Sequence, residues 1–259
     1  MSDFMEKIKV TAVSYLNTKP LLYGLVQDGM DEVLDLQLNI PSVCANKLMS
    51  GEADLGLVPV AVIPKLKNAY IVSDFCIGAE GAVKTVGIFS DCPIDKITHL
   101  YLDYHSRTSV NLAKVLLREH WKCLPEFIHA TEGFIDKIEG THAAVVIGDR
   151  TIGLDEKHTY VYDLGQAWMD FTGLPFVFAA WVSTRPLSPE FLQRFNAALA
   201  KGIANIPKLI YLLPPPHPSF DLEAYFSKHI SYHYDAPKKA ALDRFLKYIA
   251  SENLASSHH

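Results

Sequence analysis

Apolar and polar positions alternate from the start of the chain. Ile8, Val10 and Ala12 stand against Lys7, Lys9 and Thr11, the period of two that a half-buried strand needs. A short loop, Ser14-Tyr15-Leu16-Asn17, follows. Thr18 then precedes Pro20, whose fixed φ suits a first helical turn, and Leu21/Leu25 with Leu22/Val26 keep the i,i+4 spacing up to Gly29. Leu36, Leu38 and Ile40 alternate again as a second strand. Ser42 caps a helix that packs Val43, Leu48 and Met49 and stops near Gly51, and Asp54-Leu55-Gly56-Leu57-Val58-Pro59 makes a short apolar strand. This order predicts a mostly parallel sheet covered by helices.

Two later runs, residues 83–89 and 175–182, are long, apolar and β-rich. Between them the pattern predicts a strand over 99–103, a helix carrying Val110, Leu112, Val115 and Leu116, and strands over 127–129, 143–147 and 160–162. Beyond 182 it predicts helices over 189–206, 221–234 and 237–250. The reading is an α/β protein of two lobes joined by two crossover strands. Lobe one takes residues 1–92 plus 177–259, and lobe two, 93–176, is inserted into it. Paired crossovers make a hinge, and the cleft between the lobes is the natural ligand site.

Composition narrows the function. A chain of 259 residues, 49% hydrophobic and 20% charged, has enough apolar side chain for a proper core. The net charge of −5 argues against a nucleic-acid partner, because phosphate backbones demand a basic stripe and none appears. The densest basic pair, Lys238-Lys239, reads as an exposed helix face. No segment reaches the roughly 18 consecutive apolar residues of a membrane span. The opening ten residues lack the apolar core of a signal peptide, and Cys44, Cys76, Cys92 and Cys123 are too scattered for a metal site or a disulfide framework; both features favour a cytoplasmic protein. Ser256-Ser257-His258-His259 reads as a remnant of a purification tag.

Candidate chemistry sits where loops follow strands and lead into helices, the usual ligand position in open α/β sheets. Ser14, Tyr15, Asn17 and Thr18 offer uncharged hydrogen-bond donors after the first strand. Ser106, Arg107, Thr108 and Ser109 open an apolar helix whose N–H groups and positive dipole end suit a carboxylate. Thr85, in the first crossover run, places a hydroxyl in the cleft. His105 borders the anion segment as a possible acid or base, and Asp149 and Asp170 are candidate cleft acids. Simple capping and turn formation explain many of these residues equally well. The 11 histidines show no HxxxH or HExxH spacing, so no metal is expected. With no GxGxxG, P-loop or GxSxG elbow, no cofactor is expected either. The residues alone lead to a two-lobed binder of a small anion.

Several of these segments resemble one family. Val13-Ser14-Tyr15-Leu16-Asn17-Thr18-Lys19-Pro20-Leu21 is similar to the opening signature of the MqnA-type chorismate dehydratases of the futalosine route to menaquinone. The likeness continues, in order, through Gly51 to Pro59, Val83 to Ser90, Ser106 to Val110, Val146 to Arg150, Thr172 to Ala179 and Ile230-Ser231-Tyr232. The resemblance implies a type II periplasmic-binding-protein-like fold turned into a cytoplasmic, cofactor-independent hydro-lyase. Its reaction removes water from chorismate to give 3-[(1-carboxyvinyl)oxy]benzoate. By the same resemblance Asn17 and Thr85 are catalytic, and Ser14, Tyr15, Ser106, Arg107, Thr108, Ser109 and Asp149 bind substrate. Thr85 stands where the family usually has serine, and Tyr104-His105 replaces small polar residues. A solute-binding protein for an aromatic or dicarboxylic acid is the alternative on the same fold. The opening signature argues against the dihydroxynaphthoate synthase of the same pathway, and the chain length leaves no room for the DNA-binding module of a ligand-sensing regulator.

Overall fold

The structure, a computed structural model, describes residues 7–256, with side chains to 251. The opening residues 1–6 and all but the first residue of the suspected tag remnant, 257–259, lie outside the described residues. The first half-sheet follows the expected pattern: β1 (Ile8–Val13), α1 (Lys19–Gln27), β2 (Leu34–Asn39), α2 (Pro41–Ser50) and β3 (Leu55–Pro59). The chain continues through β4 (Tyr70–Ala79), β5 (Val86–Ser90), β6 (His99–Leu102), α3 (Thr108–Glu119), β7 (Glu126–His129), β8 (His142–Ile147), β9 (Tyr160–Asp163) and α4 (Leu164–Thr172). It returns by β10 (Phe176–Ser183) and ends with α5 (Pro189–Ala204), α6 (Ile206–Leu212), the short turn α7 (Leu222–Ala224), β11 (Ser231–His233) and α8 (Ala236–Ser256).

These strands form two sheets, one of six strands in the order β11-β4-β10-β3-β1-β2 and one of five in the order β7-β6-β8-β5-β9. Both are mixed rather than mostly parallel. β1 runs parallel to β2 and β3, and β6 to β7 and β8. β10, however, is inserted antiparallel between β3 and β4 because the chain re-enters the first sheet against the direction in which it left. A boundary at 92/93 would leave β5 with the first sheet. β5 instead hydrogen-bonds β8 and β9, so the chain passes between sheets within residues 80–85 and again near 173–175. β10 is thus a fully paired strand of the first sheet.

The passage at 83–84 is tied down. Val83 and Lys84 donate their N–H groups to the Asp163 carboxylate at 3.1 and 2.7 Å, and the same carboxylate caps α4 through Gly165 and Gln166. Lys84 sits at φ +69°, a left-handed conformation that costs a side-chain-bearing residue free energy. α1 and α5 cross at Gly24 and Gly202, where a Cβ on either would run into the other helix's backbone, at Ala198 O and Pro20 O. Trp168 of α4, Phe176 of β10 and Phe245 of α8 pack edge to face, joining the two sheets' cores into one cluster.

Two readings of the C-terminal part change. Residues 221–234 are not one helix. Asp221 caps only the turn α7, a wider turn Tyr225–His229 follows, and Ser231–His233 pairs with the edge of β4. Lys238, expected on an exposed face, is 0% exposed, its ammonium 2.9 Å from Glu80 and 3.5 Å from Asp235.

Candidate active site

The cavity opens between the sheets, with an empty volume of about 490 Å³ including its mouth. Val13 of β1, Pro59 at the end of β3, Ile77 of β4 and Phe178 and Ala179 of β10 form one wall; Val83, Val86, Ile147 and Gly148 form the opposite one. The polar groups are few: Tyr15 and Asn17 from the loop after β1, and Ser106, Thr108 and Ser109 at the start of α3. Among the described residues no carboxylate, ammonium or imidazole lines it. Its chemistry is that of a largely apolar slot with uncharged donors.

Both polar clusters occupy their expected places because each follows a buried strand end. Ser106 Oγ accepts the Ser109 N–H at 2.9 Å, opening α3 against the cavity, and Thr108 Oγ1 accepts the Ala61 N–H at 3.2 Å from the first sheet's side. Asn17 is held at both ends: its Oδ1 accepts the Thr18 hydroxyl at 3.2 Å, and its backbone carbonyl accepts the Tyr232 hydroxyl at 2.9 Å.

The loops that carry these groups are clasped across the cleft. The Tyr15 hydroxyl lies 2.6 Å from His105 Nδ1, and the Leu16 N–H points at both carboxylate oxygens of Asp149, at 3.0 and 3.2 Å. Burial holds the Tyr15 phenol well above its ordinary pKa, so it remains a neutral donor. Burial, together with the Arg150 guanidinium, pushes His105 down, so the ring stays neutral and can accept. Behind this pair the buried Asp103 carboxylate accepts from the His105 backbone N–H at 2.9 Å, the Ile147 backbone N–H at 3.1 Å and the Arg150 guanidinium at 2.5 Å. Gly148 adopts φ +66° and its Cα lies under the Tyr15 ring, where a Cβ would come within 2.6 Å of the ring carbons.

Of the sequence candidates, Tyr15, Asn17, Ser106, Thr108 and Ser109 meet at the cavity. The other candidates, His105 and Thr18 among them, do not line it. Ser14 is exposed and donates its N–H to Asn39 O. Arg107 points away to Asn46 on α2, at 2.6 Å. Asp149 serves the Leu16 backbone, and Thr85, expected in the cleft, is 0% exposed with its Oγ1 2.8 Å from the Tyr225 hydroxyl. Neighbouring residues of an extended chain face opposite sides, and Val86 takes the cavity side here. Asp170 is no cleft acid: it lies exposed on α4, accepting from Gln166. Sequence reading misses Tyr225 and the Asp103–Arg150 pair altogether. Tyr225 falls inside an expected helix, and no spacing signal links it to its partner Thr85, 140 positions away along the chain.

Comparison with known proteins agrees with this geometry. The chain is 28% identical over 212 residues to a chorismate dehydratase of Thermus thermophilus, covering 74% of this chain and 76% of that one. It is 28% identical over 255 residues to a chorismate dehydratase of Campylobacter jejuni, covering 94% and 98%. Among solved structures it is similar to a protein of Archaeoglobus fulgidus at a TM-score of 0.75 and 15% identity, covering 96% and 98%. It is also similar to a Candida albicans protein described as exhibiting the generic periplasmic binding protein structural fold, at a TM-score of 0.64 and 14% identity, covering 94% and 90%. The expected α/β architecture of periplasmic-binding-protein type is thus established. Residues 8–251 match the family described as menaquinone biosynthesis, and the chain belongs to that family.

Proposed function

We infer that the protein is a chorismate dehydratase, a hydro-lyase that converts chorismate to 3-[(1-carboxyvinyl)oxy]benzoate in the cytoplasm. The observation that carries this reading is a family match over nearly the whole chain, joined to a cavity whose polar lining, among the described residues, consists of uncharged donors. Chorismate brings two carboxylates. The opening of α3, with Ser106, Thr108 and Ser109, suits one of them, because helix N–H groups and hydroxyls stabilise an anion without a counter-charge.

The reaction breaks the C3–H bond, places its electron pair in a new C3–C4 π bond and expels the C4 hydroxyl, which leaves as water. The product ring is aromatic, so the step is strongly downhill and needs orientation more than acid–base power. With no base among the described residues that line the cavity, the substrate's own side-chain carboxylate takes the C3 proton and hands it to the departing hydroxyl, which leaves as water and restores the carboxylate. Asn17 donates to the departing hydroxyl or to a carboxylate. Holding the substrate in the elimination-ready conformer supplies several kcal/mol of the barrier reduction.

Incubation with chorismate tests this: the diene absorbance falls and an enolpyruvyl benzoate appears. Chorismate bound but recovered unchanged would establish the solute-binding alternative instead. Asn17→Ala is expected to lower turnover by about 10²-fold or more. Abolished turnover with intact binding in His105→Ala would make His105, not the substrate, the base.

A further inference from the structure

The first sheet's side presents two helical-turn starts to residues 105–108, the stretch between β6 and α3. A turn that opens a helix leaves its first N–H groups without partners inside it. The Ser42 N–H, at the second position of α2, is taken up by His105 O at 3.0 Å. The Ala61 N–H, at the second position of the helical turn Val60–Lys65 after β3, is taken up by Thr108 Oγ1 at 3.2 Å. Both bonds cross the cleft, and the second one ends on a side chain that lines the cavity.

A hydroxyl carries one proton to donate and an oxygen that accepts. The Ala61 N–H fills the Thr108 oxygen, and among the described residues nothing accepts the Thr108 proton. Thr108 is 2% exposed, so that proton is left for the cavity. Ser106 Oγ is likewise filled, by the Ser109 N–H at 2.9 Å, and Ser109 is buried against the cavity with no partner for its hydroxyl among the described residues. Three hydroxyls thus stand as donors at one place, as a carboxylate requires. The Ser106 oxygen is filled from within its own segment. The Thr108 oxygen is filled only when Ala61 reaches it across the cleft; with the halves apart, both groups turn to water.

We propose that Thr108 couples closure of the two halves to capture of a substrate carboxylate: the Ala61 N–H, arriving across the cleft, fills the Thr108 oxygen and turns its O–H toward the anion. The proposal rests on the dehydratase reading for the identity of that anion, whereas the coupling itself is observed without turnover. It is reciprocal. A hydroxyl that donates to an anion becomes a stronger acceptor, so the bound carboxylate tightens the bond to Ala61 and favours the closed arrangement. Ala61, whose side chain carries no chemistry, thereby serves as a positioning group through its backbone.

The test joins kinetics with small-angle X-ray scattering. Thr108→Val keeps the shape of the side chain and removes the hydroxyl, so the Ala61 N–H is buried without a partner whenever the halves close; Thr108→Ser keeps the hydroxyl. KM for chorismate should rise about 10- to 100-fold in Thr108→Val with kcat within about threefold, while Thr108→Ser stays near the wild type in both. In a titration with the product, 3-[(1-carboxyvinyl)oxy]benzoate, Thr108→Val should remain the protein of larger radius of gyration, reaching the wild-type radius only at about 10- to 100-fold higher product. Thr108→Ala, which also lacks the hydroxyl, repeats the series should valine disturb the start of α3. Identical radii at every product concentration would overturn the coupling even with a raised KM, because Thr108 would then be a plain ligand of the substrate. A lowered melting temperature with KM and radius unchanged would make it a structural cap and overturn the coupling as well. Absence of turnover in the wild type would overturn the dehydratase reading and leave the scattering series to decide this one.

Discussion

Replacing Gly148 by alanine should damage stability and substrate binding together, for reasons that can be separated. Gly148 holds φ +66°, and an L-residue there costs about 1–2 kcal/mol. The new methyl would also sit 2.6 Å from the Tyr15 ring, closer than carbon atoms approach. The ring must move, and its 2.6 Å contact with His105 is the bond at risk, a further cost of about 1–1.5 kcal/mol. The sum, about 2–3.5 kcal/mol, corresponds to a fall in melting temperature of roughly 4–14 °C for a chain of this size. Gly51 supplies the control. It has φ +78° with nothing within 4 Å of the place an alanine Cβ would take, so Gly51→Ala carries the backbone cost alone. Thermal unfolding of both variants, with chorismate titrations of each, separates the two costs. Gly148→Ala should be the less stable and should raise KM, while Gly51→Ala should leave KM untouched. Equal melting temperatures with an unchanged KM in both would refute the claim that Tyr15 is pinned between Gly148 and His105.

Three further outcomes follow from the same contacts. Lys84→Gly relieves the left-handed backbone and should leave stability equal or higher, whereas Lys84→Val should cost about 1–2 kcal/mol in denaturant unfolding. Lys238→Met should be close to neutral because the methionine fills the buried site and Glu80 is free to be solvated; Glu80→Ala should cost more, since it strips the nearer partner from a buried ammonium. His105 is held below its ordinary pKa, so the unfolded chain takes up its proton first. Stability should therefore fall as pH drops through about 6.5, and His105→Asn should flatten part of that slope in unfolding measured between roughly pH 7 and 5.

Much of the site is legible in the sequence because it depends on local rules. A hydroxyl- and amide-bearing loop after a buried strand, and a Ser/Thr segment opening an amphipathic helix, face the ligand space wherever strand ends point that way; Tyr15, Asn17, Ser106, Thr108 and Ser109 obey this rule. The failures come from pairing at a distance. β4 and β11 exist because β10 and β4 offer them edges, and the apolar positions of residues 230–234 do not distinguish such a strand from a helix end. Lys238 is buried because Glu80 and Asp235, one of them 158 positions away in the chain, come to meet it. A crossover run places Thr85 beside the cleft but does not say which way its side chain turns. Facing is set by the backbone at Lys84, which composition does not reveal.

The arrangement also explains why a fold used for binding can carry this elimination. A dianion enters a slot whose lining, among the described residues, carries no charged side chain, so each of its few donors acts among apolar neighbours, where a hydrogen bond is electrostatically stronger than in water. Two sets of residues then divide the work. Tyr15–His105 and Leu16–Asp149 hold the halves together, and Tyr15 also lines the cavity, so weakening them should fall mainly on KM. If Asn17 donates to the departing hydroxyl as proposed above, weakening it should fall mainly on kcat. Asp149→Asn is the sharpest case. The amide oxygen can still accept the Leu16 N–H, but without full charge, so KM should rise several-fold, about 1 kcal/mol, with kcat nearly unchanged. A variant that loses kcat and keeps KM would place Asp149 with Asn17 instead, and the separation of closing from chemistry would fail.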